Sequence, residues 1–127
     1  MQERKSIRTE KAPLPIGPYE QAVAAGPFVF LSGQIGFDPA TGKMVEGGVA
    51  EQTERVLKNV KAVLEASGSS LAKVVRVGVY LADMGDFATV NDIYSKYMSE
   101  AKPARSAIAV KGLPAGALVE MDAIALL

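Results

Sequence analysis

The pattern of apolar positions predicts an amphipathic helix near the middle of the chain. Between residues 50 and 67, apolar residues recur at helical spacing: Val56, Leu57, Val60, Val63 and Leu64. This spacing predicts one apolar stripe along the helix. Glu51 lies near the positive N-terminal end, and Gly68 is well placed to end the helix.

The pattern changes to a period of two at residues 74–82, which predicts a strand. Neither face of this strand is strongly polar, so we expect a central strand that is covered on both sides. The residues expected on one face are Val75, Val77, Val79 and Leu81. Those expected on the other are Val74, Arg76, Gly78, Tyr80 and Ala82.

The remaining patterns predict one more helix and several strands. Residues 87–99 form the second helix, which Asp86 can cap, and Pro103 ends that region. Its apolar stripe consists of Phe87, Val90, Tyr94, Tyr97 and Met98. Strand patterns occupy residues 21–25, 28–34, 104–110 and 118–127. Residues 38–42 are predicted as a turn.

A proline-rich segment at residues 13–19 precedes the first predicted strand. It can be neither helix nor central strand, because each proline removes a backbone donor. We expect an ordered loop or an extended arm. The charged residues 3–11 before it are expected to form a solvated end.

These elements predict one α+β domain that spans residues 1–127, since no linker or repeat divides the sequence. Two helices with one apolar stripe each can cover one face of a mixed sheet. The other face also carries apolar residues, and no third helix remains to cover it. We therefore expect oligomerisation through the uncovered face. A solvated sheet face is the alternative, but it would show a cleaner alternation.

Composition excludes several kinds of chemistry. The chain has 127 residues, of which 49% are hydrophobic and 22% charged, and 14 basic residues balance 14 acidic ones. It contains neither Cys nor His, which excludes disulfides, thiolate nucleophiles, Ser-His-Asp triads and Cys/His zinc sites. The first 13 residues lack the apolar region of a signal peptide, and no apolar stretch could span a bilayer. We expect a cytoplasmic protein that does not bind membranes.

Three polar features are unusual for core strands or simple turns. Arg105 begins a strand after Pro103, Glu120 and Asp122 interrupt an otherwise apolar last strand, and Gly33 ends an apolar run where its backbone could approach a ligand. Taken singly, each feature is more simply structural, because strand-end charges are usually solvated.

The same residues belong to motifs that occur together in a fitting order. The motifs are Ile16-Gly17-Pro18-Tyr19, Ser32-Gly33-Gln34, Asn91, Pro103-Ala104-Arg105-Ser106 and Glu120-Met121-Asp122. In this combination the sequence resembles the RidA/YjgF family of reactive-intermediate deaminases, over roughly residues 13–125. The resemblance implies a chorismate-mutase-like fold with two helices on one face of a mixed sheet. It also implies a homotrimer with sites in the clefts between subunits.

The resemblance further implies hydrolysis of 2-imino or enamine acids, such as 2-iminobutanoate and 2-iminopropanoate, to 2-keto acids and ammonia, without a metal or other cofactor. Arg105 would bind the substrate carboxylate, for which its planar guanidinium is suited. Glu120 would activate the attacking water. The substrate-binding positions carried over from the family are Tyr19, Ser32, Gly33 and Asn91, and for Asn91 a structural hydrogen bond to a loop is the alternative. The strand at Ser106 and Ala107 could also present a backbone N–H, that of Ala107, to the substrate carboxylate.

The relative placement of the two main residues depends on strand register. We expect Arg105 and Glu120 on adjacent antiparallel strands, where they share a face only if paired residue numbers sum to an odd value. Three positions depart from the family pattern and place substrate preference in question: Glu20, Lys102 and Asp122.

Two other functions compete with imine hydrolysis. A non-catalytic carboxylate-binding or chaperone-like trimer is possible on the same fold, although such a protein would have no need of Glu120. An endoribonuclease or translation inhibitor would need a basic surface and stacking aromatic residues. The neutral charge balance and the absence of Trp argue against a nucleic-acid partner.

Overall fold

The computed structural model describes residues 3–127, and Met1 and Gln2 lie outside the described residues. Eight strands, two α-helices and three short 3₁₀ turns follow one another in this part of the chain. The strands are β1 (Arg4–Ile7), β2 (Ala22–Ala25), β3 (Phe28–Gln34), β4 (Phe37–Asp38), β5 (Lys43–Met44), β6 (Val74–Leu81), β7 (Ala104–Ala109) and β8 (Val119–Leu126). The helices are α1 (Val49–Ala66) and α2 (Phe87–Met98).

Six of the strands form one mixed sheet in the order β1-β2-β3-β8-β6-β7. The neighbouring pairs are antiparallel except β6 and β7, which run parallel and are connected through α2. The small hairpin β4–β5 encloses the predicted turn at residues 38–42. The α+β prediction with a mixed sheet and two helices is confirmed.

The main core lies between the two helices and one face of the sheet. The stripe of α1 (Val56, Leu57, Val60, Val63 and Leu64) is almost completely buried, as are Val90, Tyr94 and Met98 of α2. Opposite them lie alternate residues of the central strands: Val29, Leu31, Val77, Val79, Leu81, Val119, Met121, Ala123 and Ala125. The apolar stripes predicted from the sequence are therefore confirmed.

The predicted end of α1 is confirmed, whereas the predicted cap at the start of α2 is not. Gly68 has a φ of 81°, and the N–H of Ser69 donates to the carbonyl of Leu64, which together form a Schellman ending for α1. The cap predicted at Asp86 is wrong in its chemistry, because the Asp86 side chain makes no capping hydrogen bond. Asp83 caps the 3₁₀ turn before α2 and accepts from the N–H of Gly85 at 2.8 Å.

Two local predictions are wrong because of how the strands pair. Residues 4–7 are not simply a solvated end, because their backbone pairs with β2 as an edge strand while the charged side chains stay exposed. In β6 the register shifts between Val74 and Arg76, so Val74 is buried and Val75 is exposed. A β-bulge of this kind exchanges the faces of the residues before it.

The second face of the sheet has no helix over it in the described chain. Phe30 and Leu126 are exposed on that face, where they alternate with the buried residues of β3 and β8. Ile108 of β7 is exposed on the same face. Exposed apolar side chains on a single sheet face are typical of a protein–protein interface.

Candidate functional site

Six of the residues singled out in the sequence line two separate cavities. Tyr19, Ser32, Gly33 and Glu120 line the first, a cavity of about 380 Å³ that we call the Glu120 pocket. Arg105 and Asn91 line the second, a more open groove of about 500 Å³ that we call the Arg105 groove. None of residues 3–127 lines both cavities.

The expected placement of Arg105 and Glu120 on adjacent antiparallel strands is wrong. β6 lies between β7 and β8, and β7 is parallel to β6. Val77 pairs with Arg105 on one side and with Ala123 on the other. Ala123 faces the helices, so Arg105 lies on the helix side of the sheet and Glu120 lies on the opposite face. The chain alone does not bring the two groups together.

Arg105 is held by three residues of α2. Its Nη1 donates a hydrogen bond of 2.7 Å to Oδ1 of Asn91. Its guanidinium carbon lies 4.7 Å from the ring centre of Tyr94 and 5.5 Å from that of Phe87, which are cation–π distances. These contacts fix the guanidinium at the mouth of the Arg105 groove, where its side chain remains exposed and available for a carboxylate.

Phe87 and Tyr94 were assigned only to the core from the sequence. Phe87, Asn91 and Tyr94 are spaced i, i+4 and i+7, so they form one stripe on α2, and this spacing is the signal that could have identified them. Asn91 has its carbonyl oxygen turned to Arg105, so its observed contact is with that side chain.

Tyr94 carries a buried hydroxyl that has no hydrogen-bond partner within the described residues. Burial raises the pKa of this hydroxyl, and the positive charge of Arg105 opposes that shift. A buried hydroxyl without a partner costs stability, so packing alone would be served better by a phenyl ring.

Glu120 lies across from Tyr80 on the uncovered face of the sheet and is partly buried. Burial raises the pKa of its carboxyl, and the negative charge of Asp122 raises it further. Asp122 is fixed in place, because its carboxylate accepts from the Gly78 N–H at 3.1 Å and from the Tyr80 hydroxyl at 3.0 Å. A carboxyl with a raised pKa is a stronger base once it is ionised.

Gly33 makes room for Glu120. The register of β3 against β8 shifts between Leu31 and Gln34, and Gly33 lies in this irregular stretch. A Cβ at position 33 would come within 2.9 Å of Glu120 Cδ and would overlap the carboxylate oxygen. The close approach expected at Gly33 is therefore made by the Glu120 side chain of the same chain.

Ser32 and Gln21 hold the proline-rich arm against the sheet. The Ser32 hydroxyl donates to the carbonyl of Glu20 at 2.6 Å, which places Tyr19 at the rim of the Glu120 pocket. Gln21 is fully buried, and its amide nitrogen donates to the carbonyls of Thr9, Ala12 and Pro13. Sequence reasoning did not single out Gln21; a polar residue at the start of a strand directly after the arm was the available signal.

Ala107 packs its side chain against the core from β7. Because β7 is the last strand of the sheet, one side of its backbone has no strand partner in residues 3–127. A contact between substrate and the Ala107 backbone N–H therefore stays a prediction.

Residues 3–127 contain no cluster of three or more acidic side chains arranged to hold a metal ion. No helix in the same range combines the length and the apolar character needed to cross a membrane.

Comparisons with known proteins identify the family. A family model described as Endoribonuclease L-PSP matches residues 9–127. A RutC family protein of Pyrococcus abyssi is 55% identical over 122 residues, which are 96% of each chain. The 2-iminobutanoate/2-iminopropanoate deaminase of Bos taurus is 49% identical over 122 residues, 96% of this chain and 89% of that protein.

The fold also matches that of a protein whose crystal structure is known. The crystal structure of E. coli TdcF with bound serine superimposes with a TM-score of 0.91 at 40% identity and covers 97% of this chain and 98% of that one. The chain belongs to the RidA/YjgF family, whose members include proteins named as imine deaminases.

Proposed function

We propose that the protein hydrolyses reactive 2-imino acids to 2-keto acids and ammonia at a site built by two copies of the chain. One observation carries this proposal: Arg105 and Glu120 lie on opposite faces of the sheet in separate cavities. The chemistry needs both a carboxylate clamp and a base. A second copy can supply the half-site that each chain lacks.

The uncovered sheet face supports an assembly. Phe30 is 43% exposed on that face, and Ile108 and Leu126 are exposed on the same face of other strands. Burying them against other copies would remove apolar surface from water. The assembly that we propose is the chorismate-mutase-like homotrimer with the sheets turned inward, in which the edge strand β7 of one copy approaches the Glu120 pocket of the next.

The reaction needs only positioning and one base. The substrate has an iminium carbon bonded to a carboxylate. Arg105 binds this carboxylate through paired N–H donors. Glu120 removes a proton from water as the water oxygen attacks the iminium carbon, giving a neutral amine on a tetrahedral carbon. The proton passes from Glu120 to that amine, the C–N bond breaks, and the hydroxyl proton leaves with ammonia as ammonium. The products are the 2-keto acid and an ionised Glu120.

The names of two relatives agree with this chemistry. The bovine relative is named for 2-iminobutanoate and 2-iminopropanoate. The crystal structure of TdcF has bound serine, a small molecule with a carboxylate. Arg105 offers the group that such a carboxylate requires.

The test is complementation between two inactive variants, Arg105→Ala and Glu120→Gln. Each variant alone is expected to lose imine hydrolysis, measured as the release of keto acid from imines generated in situ. When the two are unfolded together at equal amounts and refolded, each site takes Arg105 from one copy and Glu120 from another. Random mixing leaves both groups intact in about a quarter of the sites, so about a quarter of the wild-type activity is expected.

A site contained within one chain would recover no activity on mixing. The control is each variant refolded alone, with the mass of the assembly measured by light scattering. If Glu120→Gln keeps full activity, Glu120 is not the base and the site proposed here is wrong. If wild-type protein binds 2-keto acids without accelerating imine hydrolysis, the non-catalytic carboxylate-binding function replaces this proposal.

A further inference from the structure

The Glu120 pocket is lined mostly by apolar side chains. Beside Glu120, Gln21 and the residues of β3, its walls consist of Pro13, Leu14, Ile16, Tyr19, Ile35, Phe37 and Pro114. Glu120 is the only charged residue among those that line it in the described chain. The position proposed to activate water thus borders an apolar space of about 380 Å³.

Three of the exposed large apolar side chains of residues 3–127 gather at this one pocket. Ile16 is 87% exposed, Tyr19 is 48% exposed and Leu14 is 42% exposed. All three belong to the proline-rich arm, and we call these three side chains the apolar rim. Apolar groups held at the mouth of a cavity, rather than scattered, indicate a binding surface.

The apolar rim is fixed before any ligand arrives. Gln21 binds the carbonyl of Pro13 at 2.8 Å, and Ser32 binds the carbonyl of Glu20 at 2.6 Å, so the arm is anchored on both sides of the rim. The proline residues within it restrict the backbone further. An anchored rim loses little conformational entropy on binding, which favours a ligand that contacts it.

The charge of the pocket restricts the ligand. An ionised Glu120 repels a second carboxylate on the substrate, and the apolar walls offer no basic group to compensate for it. An aliphatic or aromatic group would instead replace water against these walls.

On the basis of the proposed function, we propose that the Glu120 pocket receives the side chain of the imino acid and selects substrates with aliphatic or aromatic side chains larger than a methyl group. The substrate carboxylate lies on Arg105 of one copy, the iminium carbon lies at Glu120 of the next, and the side chain extends from that carbon between the apolar rim and Phe37. The preferred substrates are thus imines derived from amino acids such as leucine and phenylalanine, and an imine with an acidic side chain is a poor substrate.

The test compares imines generated in situ by an amino-acid oxidase from alanine, leucine, phenylalanine and glutamate. The measured quantity is kcat/KM for imine loss, followed by competition with trapping by semicarbazide and corrected for spontaneous hydrolysis. For wild type we expect kcat/KM for the leucine-derived imine to exceed that for the alanine-derived imine by about tenfold. The glutamate-derived imine should fall below both.

Ile16→Asn removes the most exposed apolar group of the rim. Because this side chain is mostly in solvent, its replacement should change the stability of the fold little. It should lower the leucine-to-alanine ratio of kcat/KM by about fivefold, while Ile16→Leu should keep that ratio. The matched control is Met84→Asn, at an exposed apolar residue that lies outside both cavities. It should leave all four rates unchanged.

The outcomes separate this inference from the function on which it rests. If no imine is hydrolysed faster than in buffer, the proposed function fails and this inference fails with it. If the alanine-derived imine is hydrolysed but the leucine-derived imine has no advantage, only the inference is overturned. A fall in the mass of the assembly for Ile16→Asn would also overturn it, since the rim would then be a contact between subunits.

Discussion

Among single residues, Arg105 shows how neighbouring side chains can hold a charged group in one place. Two aromatic rings and one amide of α2 surround its guanidinium, so the side chain is held in one orientation. An arginine that is already ordered loses less conformational entropy when a carboxylate binds. Glu120 is prepared differently, through burial and the negative charge of Asp122.

The first prediction concerns the pH dependence that Asp122 imposes on Glu120. In the proposed mechanism Glu120 acts as a base only when it is ionised, so activity should fall as the pH drops through the pKa of Glu120, which lies above its ordinary value of 4.5. Asp122→Asn removes the nearby negative charge and so lowers that pKa. We expect the acid limb of the profile of kcat/KM against pH to move to lower pH.

The matched control for this prediction is Asp92→Asn, which removes the same charge from an exposed position on α2. It should leave the acid limb where it is in wild type. An acid limb that stays in place in Asp122→Asn, or moves equally in both variants, would show that Asp122 does not tune Glu120 through its charge.

At the scale of elements, the proline-rich arm acts as a wall of the Glu120 pocket although it has no regular secondary structure. The Gln21 amide pairs the carbonyl of Pro13 at the beginning of the arm and those of Thr9 and Ala12 just before it, which no strand pairs. The bulge of β3 has a comparable role, because it places a residue without a side chain against Glu120. Both features depend on one side chain or on its absence.

The second prediction tests the anchoring of the arm. Gln21→Leu places an apolar side chain of similar size in the buried position. It removes the hydrogen bonds that Gln21 makes to the backbone of the arm and of the residues just before it. We expect a loss of about 2 kcal/mol or more in the free energy of unfolding, because buried carbonyls lose their partner. Hydrogen exchange of residues 9–19 in the native protein should become faster.

Gln52→Leu is the matched control for the arm. Gln52 is also buried, but its carbonyl oxygen accepts from the N–H of Leu118, outside the arm. This variant should lose stability without faster exchange at residues 9–19. Equal exchange in the two variants would contradict the anchoring role of Gln21.

At the scale of the whole molecule, the sheet separates two environments. The helices bury one face and also provide the groove for Arg105, while the other face exposes Phe30 next to the polar group formed by Tyr80, Asp122 and Glu120. A single chain therefore presents two separate cavities and an exposed apolar surface. We infer that assembly and activity are coupled.

The third prediction addresses this coupling. Phe30→Asp places a charge in the apolar part of the uncovered face, where burial in an interface would be costly. We expect the mass measured by light scattering to fall to that of a single chain and imine hydrolysis to be lost with it. Met84→Asp, at an exposed apolar residue away from this face, should change neither quantity.

A protein that keeps its assembly in Phe30→Asp would show that another surface holds the copies together. A single-chain form that retains full activity would contradict the composite site itself.

Patterns along the chain predict both helices, the longer strands and most of the buried residues, but not the short strands β1, β4 and β5. Helix α1 with its ending at Gly68, the stripe of α2 and the strands at residues 22–25, 28–34 and 74–81 follow from side-chain periods and turn residues. These signals are local, because a helix or a strand is recognised by the spacing of residues that are close in the chain. The residue types of the candidate site were also visible, since the composition left few groups able to bind a carboxylate or move a proton.

The tertiary structure alone decided how these elements are combined. The position of β6 between β7 and β8, the bulge near Val74 and the bulge at Gly33 depend on pairings between distant segments, which local patterns do not specify. Because side chains alternate between faces along a strand, these pairings settle which residues share a cavity. They place Arg105 against α2 and Glu120 on the uncovered face, and so divide one expected site into two halves.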